Sequence, residues 1–375
     1  MNFGFSDEQE LLRAEVRKFL DQNCSLDEVR KISESEEGFS RPLWNRMAEL
    51  GWVGLCLPDE YGGVGLGWVD LVVVLEETGR TLFPSPLIAT QLAAAAIERL
   101  GDAHQRARWL PGLADGKSIG SFALLECSDS LLPQGVTLEG KPDGDGFTLH
   151  GEKLFVLHAT SADLLVVAFR TGAGVDGISL AVVEREAAGL VTERLPTIDD
   201  TVRMGRARFD GVRVARDAVL GKVGGAWSTV QYLADCGAVA LTAEMVGAAE
   251  GVHALTVGYA KQRIQFDKPI AQFQGVKHPL AEAFVDIESF KSLCYYAAWC
   301  LDENPADAAL AASRAKAYAS EAFPRFGIDA IQLHGGIGYT WEYDAQLYLK
   351  RAKWARPVFG GADYHLERIA QFGGL

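Results

Sequence analysis

No CxxC pair and no HxxxH or HExxH spacing occurs in the sequence, so a zinc centre and a metalloprotease have no motif to rest on. The six cysteines (Cys24, Cys56, Cys127, Cys236, Cys294, Cys300) are scattered, without a disulfide-like framework or a readable histidine partner. They read as reduced, mostly buried thiols of a cytoplasmic protein. Positive charge is in deficit: 36 Lys and Arg face 50 Asp and Glu, a formal net charge of −14. That leaves no basic surplus for nucleic acid or an anionic membrane. Long apolar runs such as 233–257 are interrupted by Asp or Glu, and the acidic start MNFGFSDEQE lacks a charged-then-apolar signal pattern. Neither a membrane span nor a targeting segment is expected. What is present is 375 residues with 48% hydrophobic content, enough for a large core and two or three domains, and suited to a small-molecule substrate or a protein partner.

Ser6-Asp7-Glu8-Gln9 has the pattern of a capping box, and Leu12, Val16, Phe19 and Leu20 follow at helical spacing. Helical patterns continue over 44–50, 69–82, 88–100 and 104–113, broken by the loop LPDEYGGVGLG at 57–67. From about 118 the pattern turns to short runs at or near period two (146–149, 154–157, 164–169, 178–183, 191–195, 206–214), separated by turn signals at 142–146 and 172–177. This predicts an antiparallel sheet or small barrel. From 226 helical periodicity returns. Ala243, Gly247 and Gly251 form an i, i+4 row that lets a neighbouring helix come close. Asn304-Pro305 with Asp307 predicts a helix start by cap and N1-proline chemistry, and Pro324 is expected to kink or end the helix that follows. Lys350, Arg351, Lys353 and Arg356 crowd the next helix end, where cations offset the macrodipole, and Pro357 stops it.

The nearest approach to a phosphate cradle is Gln332-Leu333-His334-Gly335-Gly336-Ile337-Gly338, where adjacent glycines let backbone amides come close to an anion. A dinucleotide fingerprint follows a strand, whereas this run follows a helical pattern. A nicotinamide site is therefore not expected, and a plain glycine-rich helix end stays open. Arg263, ahead of Phe266 and Phe273-Gln274, either complements a helix C-terminus or grips a phosphate. Glu244 and Glu250 fall on different faces of an otherwise apolar helix and read as buried or interfacial polar anchors or as acid–base groups.

The α, β, α order with these motifs resembles the acyl-CoA dehydrogenase family over essentially the whole chain. FSDEQELLRAEVRKFL resembles the family's opening helix, ELGWVGLCLPDEYGGVGLG its first-domain loop, and GSFALLE and FDGVRVARDAVLG the two ends of its β domain. YAKQRIQFDKPIAQFQGVKH resembles the helix and hairpin that reach the flavin, and IQLHGGIGYTWEYDAQLYLKRAK the C-terminal signature. The resemblance implies an α+β fold: an N-terminal helical bundle over 1–117, a middle antiparallel β barrel or sheet over 118–225 and a C-terminal four-helix bundle over 226–375. It also implies FAD, and removal of two hydrogens across the Cα–Cβ bond of an acyl-CoA thioester, with a Glu taking the α proton. In such enzymes one chain's β domain holds the flavin ring while its dimer mate's C-terminal bundle grips the pyrophosphate and adenosine.

The resemblance is lopsided. The grip lent to the mate is complete: Arg263, Phe266, Phe273, Gln274, Gln332, His334, Gly335 and Gly336. On the ring-holding side, Leu125 and Leu157 stand where the family places flavin-bonding hydroxyls, beside Phe155, Glu126, Cys127 and His158. The two family positions of the catalytic base are Gly360 and Gly237. Three readings follow. The chain is the non-catalytic partner of a catalytic sister chain in an α2β2 heterotetramer, with acyl-CoA bound mainly by the sister. Or it is a self-sufficient homotetramer using a relocated carboxylate, Glu244, Asp363 or Glu126. Or it is a flavin-free scaffold of the same fold. Bulky acyl groups such as steroid side chains are the expected cargo of paired subunits by analogy.

Overall fold

The computed structural model describes residues 5–375, so the first four residues of the acidic start lie outside it. Six helices come first: α1 (Asp7–Asn23), α2 (Leu26–Glu34), α3 (Arg41–Glu49), α4 (Trp68–Arg80), α5 (Leu87–Leu100) and α6 (Ala103–Ala114). Eight strands follow: β1 (Gly120–Ala123), β2 (Glu139–Asp143), β3 (Gly146–Leu157), β4 (Leu164–Arg170), β5 (Ile178–Glu184), β6 (Leu190–Leu195), β7 (Met204–Val214) and β8 (Val219–Leu220). The chain closes with α7 (Trp227–Gln262), a hairpin of β9 (Ile264–Gln265) and β10 (Lys268–Pro269), then α8 (Gln274–Glu303), α9 (Pro305–His334), α10 (Ala345–Ala355) and α11 (Ala362–Phe372). Among the described residues no helix is long and apolar enough to cross a membrane.

Two compact units form, each discontinuous in sequence. One takes the residues up to Lys31, Trp68–Phe83 and Ala238–Leu375; the other takes Ile32–Gly67 and Pro84–Gly237. In the first unit the small-residue row of α7 meets α4. A Cβ on Gly247 would overlap the Glu76 carbonyl, and one on Gly251 would stand 2.6 Å from the Arg80 carbonyl. Gly79 answers from α4, where a Cβ would overlap Glu244. Backbone thus packs on backbone, and the charges here pair internally. Glu76 accepts from Arg13 at 2.5 Å and from the Tyr295 hydroxyl, while Lys291 bridges Glu76 (3.0 Å) and Glu250 (2.6 Å). Asp302 caps α4 by accepting from the Trp68 and Val69 amides at 2.8 and 3.0 Å.

The second unit is built on one sheet in the order β6-β7-β3-β2-β4-β5-β8, with β1 beside β4. Most pairings are antiparallel, as the period-two runs and tight turns predict, but β1 and β2 each run parallel to β4. These parallel pairings need crossover chain, which local periodicity does not encode.

Three local expectations change. Pro324 lies inside α9 without ending it, because that helix is packed against α8, α10 and α11 and burial outweighs one missing hydrogen bond. Asn304 does precede a helix, but its side chain caps nothing on the backbone; its Nδ2 donates to Asp307 instead at 2.8 Å. Arg351, read as one of the cations that offset a helix macrodipole, is buried, with Nη1 3.5 Å from Glu244 Oε2.

Candidate cofactor and active-site residues

In the first unit α7 ends at Gln262, and β9 and β10 turn the chain back toward α8. The Arg263 carbonyl accepts from the Ile270 amide at 2.9 Å, which closes the hairpin. Its two central residues, Phe266 and Asp267, both have left-handed backbone, φ 52° and 63°. Non-glycine residues adopt that conformation at a cost, and such strain is found where a side chain must be presented. Here it leaves Phe266 85% exposed at the apex, its ring edge-on to Phe273 at 6.0 Å. Arg263 is exposed beside it. So are Lys261, Lys268 and Lys277, a local cationic patch on a chain of net charge −14. Gln274 opens α8, and no side chain caps that helix start.

The glycine run is joined to this hairpin through Tyr259, one turn before Arg263. Its hydroxyl donates to the His334 carbonyl at 3.2 Å, and its ring lies 4.6 Å from the imidazole, with the Tyr343 ring 4.9 Å from the same imidazole. His334 is buried, which lowers its pKa from the ordinary histidine value. Its Nδ1 contacts the Ala330 carbonyl at 2.7 Å. Beyond it Gly335 turns left-handed (φ 64°), and a Cβ on Gly335 or Gly336 would meet nothing within 4 Å. Gln332 is exposed on the same turn. All eight residues read from the sequence as the grip therefore lie on two neighbouring segments, open to solvent except for the buried His334 and the half-buried Phe273, with cations, aromatic rings and free glycine backbone in reach of an anion. They fit a nucleotide's phosphates and base.

The ring-facing residues belong to the second unit. Strand β3 skips two residues in its pairing with β7, between Lys153 and Val156. The bulge throws Phe155 outward, with φ 55° and 42% exposure. Leu157 is buried, and its carbonyl already accepts from the buried Ser121 hydroxyl at 2.5 Å. Leu125 accepts through its carbonyl from the Leu154 amide at 2.8 Å. Neither leucine offers a side-chain donor to the hydrogen-bonding edge of a flavin ring. His158 points into the core with φ 50°; burial and the nearby Arg203 pull its pKa down to about 3.

Glu126, one of the carboxylates considered as a base, is a staple. It accepts from the Thr137 amide (3.0 Å) and hydroxyl, the Leu138 amide (2.9 Å) and Lys153 Nζ (2.6 Å). Burial would raise its pKa, but Lys153 and these donors hold it below the ordinary carboxylate value. Lys153 is wholly buried, which brings its pKa down to about 8. Glu244 faces the buried Arg351, and Asp363 is exposed in the first turn of α11. Gly237 lies buried in the first third of α7, two residues after Asp235, a buried carboxylate with no motif of its own in the sequence.

The Gly360 turn is held from beneath by a residue without a sequence signal of its own. Lys316, fully buried on α9, donates to Ser320 Oγ (2.8 Å) and to the carbonyls of Ala355 (3.1 Å), Arg356 (3.0 Å) and Gly360 (3.0 Å). Burial lowers its pKa to about 7. Only its place among small residues in SRAKAYASEAF hints at burial.

Helices precede and follow a mixed sheet, and the segments around the ends of α7 and α9 gather cations, aromatic rings and open glycine backbone. The family model for the acyl-CoA dehydrogenase N-terminal domain matches residues 6–117, and that for the acyl-CoA dehydrogenase C-terminal domain matches 224–373. The acyl-CoA dehydrogenase IpdE2 of Mycolicibacterium smegmatis is 32% identical over 97% of this chain and 98% of its own length. A variant of the Tcur3481-Tcur3483 steroid ACAD is 34% identical over 98% of each chain, with a TM-score of 0.88. A chain of the ChsE4-ChsE5 complex from Mycobacterium tuberculosis is 26% identical over 100% of this chain and 99% of that one, with a TM-score of 0.91. The chain belongs to the acyl-CoA dehydrogenase family, whose members are FAD-dependent oxidoreductases acting on CH–CH bonds.

Proposed function

We propose that this chain is the non-catalytic subunit of a heteromeric acyl-CoA dehydrogenase, an α2β2 assembly in which it lends its grip to FAD held by a catalytic sister chain. The observation that carries the reading is the contrast between the two halves. The grip residues, exposed apart from His334 and the half-buried Phe273, are cationic, aromatic and glycine-rich, whereas Leu125 and Leu157 cannot donate and neither base position carries a carboxylate. Arg263 would pair with a phosphate, Gly335 and Gly336 would let backbone approach it, and Phe266 with Phe273 would cover the adenine. Gln274 and Gln332 would complete the polar rim. When bound at the sister chain's site, FAD supplies the acceptor for the hydride leaving the acyl β carbon. The sister chain is a homologue with a Glu at the position of Gly360, and it binds most of the acyl-CoA. Likeness to a chain of a named two-protein complex and to a steroid ACAD supports pairing and a bulky acyl group. The scattered cysteines, without a disulfide-like framework in the sequence, support a cytoplasmic setting.

The purified chain, assayed alone with an acyl-CoA and an artificial electron acceptor, is expected to be inactive, and adding the sister chain should restore turnover. Activity of the chain alone would favour the self-sufficient reading. Asp363 is the carboxylate left to carry that reading, since Glu126 and Glu244 are engaged, and Asp363→Asn should then abolish the activity. A chain without flavin, alone or paired, would favour the scaffold reading.

A further inference from the structure

We propose that Tyr364 and His365 hold the place of the missing proton acceptor, so that the turn at Gly360 admits no side chain and the non-catalytic role is fixed in packing rather than by one absent group. The inference deepens the subunit reading and rests on it for its functional meaning, but its geometry stands alone. Phe359 and Gly360 are consecutive left-handed residues, φ 57° and 98°. A Cβ on Gly360 would lie 2.5 Å from Tyr364 Cδ1, 3.1 Å from its Cε1 and 2.9 Å from His365 Nε2. Separations below about 3 Å are not tolerated in a close-packed interior, so something must move.

Little can move. His365 is buried, and its Nε2 lies 2.9 Å from the Phe359 carbonyl. The Gly360 amide donates to the Pro357 carbonyl at 3.0 Å, and Lys316 holds the Gly360 carbonyl from below at 3.0 Å. The neighbouring Gly361 is different: its φ is −77°, and a Cβ there would find its nearest atom, the Arg356 carbonyl oxygen, at 4.0 Å. Of the two adjacent glycines only the first is closed. A carboxylate returned to position 360 would have its stem where the Tyr364 ring now stands.

The test is a set of melting curves on the full-length chain. Gly62→Ala supplies the cost of a left-handed residue alone, because Gly62 has φ 85° and a Cβ there would meet nothing within 4 Å. Gly360→Ala is expected to lower Tm about twice as far as Gly62→Ala, and Gly361→Ala to leave it unchanged within about 1 °C. In a Tyr364→Ala background the excess at position 360 should shrink to less than half. If Gly360→Ala does not fold, Gly360→Ala with Tyr364→Ala should return soluble, folded chain. Equal shifts for Gly360→Ala and Gly62→Ala, or an excess that survives removal of the Tyr364 ring, would overturn the proposal. Neither result touches the activity of the chain alone, which decides the subunit reading separately.

Discussion

Replacing Glu126 by Ala separates a structural staple from a catalytic base, and the structure sets the size of the effect. The substitution leaves Lys153 wholly buried with one acceptor, the Leu124 carbonyl at 2.9 Å, and strips the acceptor from the Thr137 and Leu138 amides. Removing one partner of a buried ion pair costs about 3–5 kcal/mol, mostly the uncompensated charge. Each orphaned amide adds up to about 1–3 kcal/mol, but the terms overlap, so the expected loss is about 4 kcal/mol. A folded domain holds about 5–15 kcal/mol in all, so the variant should be near the edge of folding. Urea unfolding followed by tryptophan fluorescence measures it. Adding Lys153→Met should recover more than half, since the buried charge then leaves with its partner. Glu126 has a depressed pKa in the fold, so its contribution is present above the ordinary carboxylate range and fades as pH falls through the folded value. A loss below about 1 kcal/mol would refute the staple and free Glu126 to be considered as a base.

His158 and His365 are both held neutral, each with pKa about 3 against 6.5 unfolded. The unfolded chain therefore binds more protons below 6.5, and stability should fall by up to about 1.4 kcal/mol per pH unit per histidine on acidification from there, read as urea midpoints at about pH 7 and pH 5. His365→Leu should flatten part of that slope. Gly247→Ala should lower stability by about 1–3 kcal/mol, because the added methyl meets the Glu76 carbonyl rather than a movable side chain. Arg263→Ala should leave the melting point of the isolated chain unchanged, since the guanidinium is exposed. It should loosen flavin in the paired assembly about tenfold or more, measured by release on dilution.

Features set by a few neighbouring residues were legible in the sequence. The Ser6–Gln9 capping box forms in both directions, at 3.2 and 3.0 Å, and the α7 glycine row does bring a helix backbone close. The turn after α7 and the glycine-rich end of α9 were legible too, because each lies in one short motif that folds locally. The buried charges were not. Lys153, Lys316 and Arg351 look like surface cations until chain from 27, 44 and 107 positions away supplies their acceptors. Hydrophobic patterning says nothing of such distant partners, and the same limit hid Gly79 as the mate of the α7 row and left Pro324 open to reading as a kink or an end of its helix. Gly360 was legible as a missing carboxylate, whereas the Tyr364 ring beside it was not, since its position depends on how α11 leaves the turn.

The central claim, that this chain lends a flavin grip without holding a flavin of its own, is tested most directly by counting FAD against protein in the assembly purified with its sister chain. One FAD per two chains is predicted, with none retained by this chain purified alone. A homotetramer of this chain carrying one FAD per chain would contradict it.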